Sequence, residues 1–305
     1  MTESGNTNSN VPATIQRILD TRMEIMGEEN PEELAFLHSV LAQCGFPYRE
    51  PATRDYIREN GAMSLIVSAG HLFDQALKKP VLQGVPYGAK PRLLMIHLCT
   101  EAMRTQSATI SVGDSMSAFM KELGLNVSGG SHGSIARFKE QLNRLAASRV
   151  QLIMNLEDRA TVLNPAPIIK QFDVWFPTDP RQKTLWPSEV TLSGEFFETL
   201  KRHALPLDPR AIRALQHSAR AIDVYTWLAH RLVRVRGKGG DRVSWQSLQS
   251  QFGPDISDTK NFKRHMIITL KQALAVYPQA KVRQVPGGIL LGKSAPPIRK
   301  AISAG

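Results

Sequence analysis

One order of predicted secondary structure occurs twice in the chain, and this repetition constrains the fold more than any other feature. In residues 90–185, PRLLMIHLCTEAMRT predicts a buried helix and ATISV predicts a short strand. SMSAFMKELGL and SIARFKEQLNRLAAS then each place their apolar side chains on one face of a helix, with a Gly/Ser loop between them. VQLIMNL and PIIKQFDVWF predict two final strands joined by a turn.

Residues 186–295 repeat this order without repeating the sequence itself. The strand-like WPSEVTLS precedes EFFETLKRHAL and a long helical stretch, and the Gly-rich RGKGGD predicts a turn. A short helix, VSWQSLQSQF, is followed by a long one, DTKNFKRHMIITLKQALAVY, which Ser257 or Asp258 can cap. KVRQV and GILLG predict a hairpin. Two helices joined by a turn and followed by a hairpin give the order of a winged helix.

The sequence thus predicts an α+β fold that is mostly helical, with two tandem winged-helix domains and a helical N-terminal extension. Pro47, Pro51 and Gly61 break the N-terminal helical pattern into short pieces. The predicted domains are a disordered tail at 1–13, a helical N-terminal region and linker at 14–89, winged helix 1 at 90–185, a basic winged helix 2 at 186–295, and a tail at 296–305.

Positive charge is concentrated in the last third of the chain. Residues 201–305 contain 19 Lys and Arg against 5 Asp and Glu, a net charge of +14, whereas residues 81–200 carry +1 and residues 1–80 carry −4. A surface of this charge favours a polyanion, because each Lys or Arg that contacts a phosphate releases condensed counterions. We therefore expect nucleic-acid binding; the alternative is a solvated basic surface.

The long helix of the second unit is the predicted recognition helix. At about 100° per residue, its apolar side chains fall on one face, and Lys260, Arg264 and Lys271 fall on the opposite one. Such a helix fits the major groove, where Arg and Lys contact guanine edges and phosphates. The alternative is a solvated amphipathic helix. Arg283 and Lys293 flank the hairpin and are the predicted wing contacts to a phosphate or to the minor groove.

The corresponding helix of the first unit carries a weaker version of this pattern. Arg137, Gln141 and Arg144 cluster opposite its apolar stripe, and glutamine can pair with adenine. Glu140 reduces the positive charge of this face. The turn at 124–133 is also longer than the turn of a typical helix-turn-helix motif. We predict a DNA contact here, with a structural or dimerisation role as the alternative.

One motif suggests nucleotide chemistry and is better explained otherwise. GGILLGKS, at 287–294, satisfies G-x-x-x-x-G-K-[ST], but a phosphate-binding loop needs a helix after it, and Pro296 and Pro297 follow at once. We interpret the segment as a hairpin that matches by accident. No catalytic constellation is otherwise evident, so the protein is not expected to be an enzyme.

Cofactors, metals and membranes are not expected partners. Cys44 and Cys99 have no ligand-like neighbours and are predicted to be reduced structural thiols. No stretch reaches the about 18 apolar residues of a membrane helix, and the N-terminus has no secretory signal. We therefore expect a cytoplasmic protein that binds neither metal nor cofactor.

Several blocks of the sequence, in order, resemble the plasmid-encoded RepA family of replication initiators. They include the helices of the first unit, and ARAIDVYTWLAHRLVRV, VSWQSLQSQFG, FKRHMIITLKQALAVYPQAKV and GGILLGKSAPPI of the second. The resemblance covers about 90–298. It implies a protein that binds repeated double-stranded sites in a bacterial plasmid origin and starts replication by recruiting host proteins, such as a helicase or initiator. It also implies tandem winged helices, with repeats bound by a monomer and the protein's own promoter repressed by a homodimer.

Carried onto this chain, the resemblance places Lys260, Lys263 and Arg264 on the second recognition helix, and Arg137 and Arg144 on the first. It gives no role to residues 1–89. The predicted function is therefore non-enzymatic initiation and copy control of plasmid replication.

Three alternatives remain open at this point. The first is a winged-helix transcriptional repressor, which would share the DNA-binding surface. The second is a nucleotide-dependent enzyme that uses Lys293. The third is an interaction module whose basic end meets RNA or an acidic protein.

Overall fold

The computed structural model describes residues 11–28, 30–74, 77–112, 115–130, 132–156, 159–164, 167–172 and 189–298. Most of the predicted N-terminal tail and residues 299–305 of the predicted C-terminal tail lie outside these ranges. The predicted boundary between the two units, at 185–186, also lies outside these ranges, as do parts of the strands predicted on either side of it.

Helices and small antiparallel sheets alternate through the described residues. The helices are α1 (Ala13–Gly27), α2 (Ser39–Gln43), α3 (Ala89–Thr105), α4 (Met116–Glu122), α5 (Ser134–Ala147), α6 (Gly194–His203), α7 (Pro209–Leu215), α8 (Ala219–Arg231), α9 (Trp245–Phe252) and α10 (Thr259–Ala275). A short 3₁₀ turn, Leu232–Arg234, follows α8. The fold is thus mixed α and β, as the sequence predicts in its coarse form.

The strands form five antiparallel groups. They are β1 (Ala35–His38), β2 (Asp55–Asn60), β3 (Met63–Ser68), β4 (His71–Asp74), β5 (Lys79–Leu82), β6 (Thr109–Ser111), β7 (Arg149–Leu156), β8 (Arg159–Asn164), β9 (Ile169–Phe172), β10 (Glu189–Leu192), β11 (Ala204–Leu207), β12 (Asp241–Ser244), β13 (Lys281–Val285) and β14 (Gly288–Gly292). Their orders are β1-β11, β2-β3-β7-β8, β4-β5, β6-β10-β9 and β12-β14-β13.

Elements with a strong local signal lie where the sequence predicts them. Helices α3, α4 and α5 coincide with the three helical patterns of the first unit, and α9, α10 and the β13–β14 hairpin with those of the second. Ser115 caps α4 by accepting a hydrogen bond from the Ala118 amide at 3.2 Å. Such caps satisfy amide groups that the first turn of a helix leaves without partners.

The N-terminal region differs from its prediction. Among its described residues, α1 and α2 are the only helices, and five strands lie between Ala35 and Leu82. Strand β3 pairs with β7 from Met63↔Met154 to Ser68↔Arg149, so this region shares a sheet with the predicted winged helix 1. The prediction of a helical N-terminal extension is therefore wrong. The alternating burial of MSLIVS, with Leu65 and Val67 inside, is typical of a strand with one buried face.

Three further differences concern single elements. Strand β8 occupies the stretch where a turn was predicted after β7, and β11 replaces the end of a predicted helix. The long helical stretch of the second unit is divided into α7 and α8, because Asp208 and Ser218 each cap a separate helix. Strand β8 forms because β7 supplies its backbone partners, and the other two differences arise where a strand partner or a side-chain cap competes with helical periodicity.

A buried ion pair connects the two halves of the chain. Arg92 of α3 donates from Nε to Asp223 Oδ1 at 2.6 Å and from Nη2 to Asp223 Oδ2 at 2.7 Å. The same guanidinium donates to the carbonyl oxygens of Gly88 at 2.6 Å and Pro47 at 3.3 Å, and to that of Phe46. Since Asp223 belongs to α8, this cluster fixes α3 against the helix that supports the basic unit.

The N-terminal region also contacts the basic unit directly. Arg58 of β2 is buried and donates from Nη1 to the Ser250 carbonyl of α9 at 2.9 Å, while its Nε donates to Tyr56 Oη at 2.9 Å. Gln251 Nε2 donates to the Gln43 carbonyl at 3.2 Å. Helix α9 is therefore joined to β2 by one side-chain-to-backbone hydrogen bond and to α2 by another.

Candidate nucleic-acid interface

Helix α10 begins at a well-defined cap. The Asp258 carboxylate accepts hydrogen bonds from the Lys260 amide at 3.0 Å and the Asn261 amide at 3.1 Å. This confirms one of the two caps that the sequence allowed. A carboxylate here also stabilises the helix through the partial positive charge of its N-terminus.

One face of α10 is fixed in the core. Phe262, Met266 and Ala273 are fully buried, and the helix packs against α8. Just beyond its end, Tyr277 lies edge-on to Tyr225 with ring centroids 6.2 Å apart, and its hydroxyl donates to the Ala295 carbonyl at 2.6 Å. This apolar face determines which side of the helix meets solvent.

The opposite face of α10 is an exposed stripe, which we call the α10 stripe. It consists of Lys260, Arg264, Ile268 and Lys271. Arg264 Nη2 donates to Asn261 Oδ1 at 3.1 Å, which supports the guanidinium from its own helix. The sequence predicted the three cations and missed Ile268, whose side chain is 52 % exposed. An exposed isoleucine between cations could have been found from the helical spacing alone.

Lys263 lies to one side of the α10 stripe. Its Nζ is 5.3 Å from the ring centroid of Trp245, at the start of α9, and the residue is half-buried. A cation over an indole face is held in place without being neutralised. The structure therefore brings Lys263 to the junction of α9 and α10, next to the three other predicted residues of this helix.

The hairpin presents two further cations. Arg283 on β13 and Lys293, just after β14, are both exposed, as predicted for wing residues. Arg242 on β12 is also exposed and donates from Nη2 to the Pro286 carbonyl at the hairpin turn. Arg242 carries no local sequence signal for this position, because its proximity to the turn depends on the pairing of β12 with β14.

The nucleotide-loop motif at 287–294 is part of this hairpin. Gly288–Gly292 is strand β14, which pairs with both β12 and β13. Ser294 Oγ accepts from the Lys281 amide and donates to the Gly292 carbonyl, both at 2.9 Å. Since no helix follows within the described residues, the segment lacks the helix N-terminus that a phosphate-binding loop requires.

Two predicted residues of the first unit face the protein interior. Gln141 is 5 % exposed, and its Oε1 accepts a hydrogen bond from the Tyr87 amide at 2.8 Å. Arg144 bonds Glu50 and Glu140, each at 2.7 Å, and lies over the Tyr87 ring at 5.1 Å. Both side chains hold α5 against the segment before α3. Their assignment as DNA contacts is therefore corrected to a structural role.

Arg137 is the predicted residue of α5 that remains exposed. It lines a cleft beside the N-terminus of α3, separate from the α10 stripe. The predicted cations of the second unit thus lie on α10 and on or just after the β13–β14 hairpin, and one cation of the first unit stays available.

Two absences apply to the described part of the chain. No group of three or more His, Cys, Asp or Glu side chains there could hold a metal ion. No helix among the same residues is long and apolar enough to cross a membrane. Cys44 and Cys99 are both buried as free thiols, and burial raises the pKa of each to about 12.

Comparisons with known proteins identify one family. The model of a family described as plasmid-encoded RepA protein matches residues 85–247. No curated protein matches the chain. Among solved structures, the crystal structure of domains 2–3 of RctB is similar to it, with a TM-score of 0.48 and 12% sequence identity over 81% of this chain and 85% of that chain.

Proposed function

Since the chain belongs to the plasmid-encoded RepA family of replication initiators, we propose that it binds specific double-stranded sites in a plasmid origin and thereby starts plasmid replication. The single observation that carries this proposal is the α10 stripe. A capped helix with one face in the core exposes three cations and an isoleucine on the other, in a segment of net charge +14. Guanine edges, phosphates and thymine methyl groups are the chemistry that such a face contacts.

The second unit is proposed to act as a winged helix. Helix α8, strand β12, helices α9 and α10 and the β13–β14 hairpin follow one another in that order, and the three strands form one sheet. In this arrangement α10 enters the major groove while the hairpin lies along the adjacent backbone. Arg242, Arg283 and Lys293 would then contact phosphates, which positions the protein without reading sequence.

The remaining features of the function follow from this surface. We propose that origin opening uses binding energy and DNA bending, with host replication proteins recruited afterwards and with no nucleotide hydrolysis by this chain. Binding of a homodimer to its own promoter would make it a repressor as well. A repressor without a replication role is disfavoured by the family to which the chain belongs.

The test removes two cations of the α10 stripe. Lys260→Ala with Arg264→Ala should weaken binding to the origin repeat by ~10²-fold or more, since each base or phosphate contact contributes about 1–3 kcal/mol. The fold should survive, because both side chains are exposed. Fluorescence anisotropy with a native and a scrambled duplex, across a salt series, measures both affinity and specificity.

A matched control variant removes two positive charges at positions outside the basic unit. Lys121 at the end of α4 and Arg149 at the start of β7 are exposed and lie outside the basic unit. Their double alanine variant should bind the repeat about as well as the unmodified chain. If specific binding survives in the Lys260/Arg264 variant, α10 is not the reading helix, and equal affinity for native and scrambled duplex would exclude origin recognition altogether.

A further inference from the structure

A cleft of about 510 Å³ lies where the N-terminus of α3, the first half of α5 and the turn between α7 and α8 meet. The residues on which its chemistry depends are Ala89, Lys90, Arg137, Glu140 and Gln216. Clefts of this size hold small molecules in other proteins. It is distinct from the DNA-binding surface proposed above, since none of its lining residues belongs to α9, α10 or the hairpin.

The N-terminus of a long helix opens into this cleft. Helix α3 has 17 residues, and no side chain caps it, because the preceding residue is Gly88 with φ +79°. The first amide groups of a helix lack intrahelical partners, and the aligned peptide dipoles place about half a positive charge there. Such an end attracts phosphates and carboxylates.

Two cations flank the same end without a counter-ion. Neither Lys90 nor Arg137 forms an ion pair with a described residue, and burial, followed by the charge of Arg137, lowers the pKa of Lys90. Glu140 also lines the cleft and opposes this shift, but its carboxylate is bound to Arg144 at 2.7 Å. Two like charges beside a positive helix end repel one another, and an anion between them would relieve this repulsion.

The cleft also contains a buried acceptor with no donor. Gln216 is 5 % exposed, and its Oε1 has no hydrogen-bond partner among the described residues. A buried polar atom of this kind costs free energy unless a ligand or water completes it. The phosphodiester backbone of DNA has no hydrogen-bond donor. A ligand that completes this acceptor directly therefore carries a hydroxyl or amino group as well as an anion.

We propose that this cleft binds a phosphorylated small molecule of mononucleotide size. Its phosphate would lie at the N-terminus of α3 between Lys90 and Arg137, and a hydroxyl or amino group would donate to Gln216 Oε1. Nucleotides and sugar phosphates share this chemistry. The ligand would contact α3 and α5 on one side and the turn before α8 on the other, so that it links the first unit to the helix that supports α10.

Isothermal titration of the full chain with AMP, ribose 5-phosphate and inorganic phosphate tests the proposal. At least one organic phosphate should bind ~10-fold or more tightly than inorganic phosphate. Lys90→Gln with Arg137→Gln should weaken its binding by ~10-fold or more, in line with hydrogen bonds to charged groups. Gln216→Leu should remove the preference over inorganic phosphate and leave binding of inorganic phosphate unchanged. Thermal melts establish that each variant is folded.

The control variants separate this inference from DNA recognition. Lys121→Gln with Arg149→Gln, and separately Lys260→Ala with Arg264→Ala, should leave organic phosphate binding unchanged. Failure of all three compounds to bind below 1 mM, or unchanged affinity in the Lys90/Arg137 variant, would overturn the proposal. The proposal would also be overturned if the Lys90/Arg137 variant kept its affinity for organic phosphates and lost affinity only for a scrambled DNA duplex. The cleft would then bind the DNA backbone.

Discussion

The buried pair of Arg92 and Asp223 should dominate the stability of the connection between α3 and α8. Asp223→Ala removes both oxygens that accept from the guanidinium, whose side chain is only 4 % exposed. Burial alone would lower the pKa of Arg92, but the Asp223 carboxylate outweighs it and holds this pKa above its usual value. Arginine is not deprotonated in proteins, so the guanidinium stays charged in the variant and has no counter-ion.

The expected loss follows from this geometry. Breaking a buried ion pair by removing one partner costs about 3–5 kcal/mol, because the remaining charge is left uncompensated. The carbonyl oxygens of Gly88, Pro47 and Phe46 still accept from Arg92, so we place the loss near the lower end, at about 3 kcal/mol. Replacing both residues, as Arg92→Met with Asp223→Leu, should recover part of it, since no buried charge then remains.

Urea unfolding followed by circular dichroism measures the free energy of unfolding of each variant. The matched control is Asp241→Ala, which breaks the pair between Arg231 Nη2 and Asp241 Oδ2 at 3.0 Å. The side chains of that pair are 45 % and 30 % exposed, against 4 % and 10 % for the buried pair, so its loss should cost at most about 1 kcal/mol. If Asp223→Ala loses no more than Asp241→Ala, the buried pair does not hold the two helices together and the reasoning fails.

Three other predictions concern stability. Burial lowers the pKa of His38 to about 3, so that as pH falls from 6.5 towards 3 the unfolded chain binds a proton that the folded chain does not. Thermal melts should therefore show a lower Tm at about pH 5 than at about pH 7.5. The difference between the two Tm values should be smaller in His38→Gln. A Cβ at Gly253 would clash with the Phe262 ring, so Gly253→Ala should lower the free energy of unfolding by about 1–3 kcal/mol, whereas Gly239→Ala, with open space around it, should not. Arg58→Met should cost about 1–3 kcal/mol in urea unfolding, because it removes the hydrogen bond from a buried guanidinium to the Ser250 carbonyl of α9, and an unchanged midpoint would contradict that link.

The second unit was largely predictable because its signals are local. Asp258, the apolar spacing from Phe262 to Ala273 and the turn between β13 and β14 each act over a few residues. The exposed cations of the α10 stripe follow directly from that spacing. The same helical spacing, applied to α5, predicted that Arg144 faces solvent, whereas its side chain is paired with Glu50. A helical pattern shows which face of the helix is polar but not which segment covers that face. The covering segment, with Tyr87, precedes α3.

The N-terminal strands were not predictable in this way. Residues 55–68 carry a mixed pattern of charged and apolar side chains that a short helix could also adopt. What makes them strands is β7, whose residues from Arg149 to Met154 supply backbone partners to β3. Pairing of this kind depends on a segment more than 80 residues away, and no short window of sequence contains it.

The pairing of β1 with β11 also determines when the chain can finish folding on the ribosome. Ala35 pairs with Leu207, and His38 with Ala204, so β1 leaves the ribosome long before its partner is made. At about 5–20 residues per second, the intervening segment takes on the order of ten seconds or more to synthesise. During that time β1 presents unpaired backbone groups, which other nascent chains could capture. Until residues 204–207 emerge, β1 therefore remains an edge strand without its native partner.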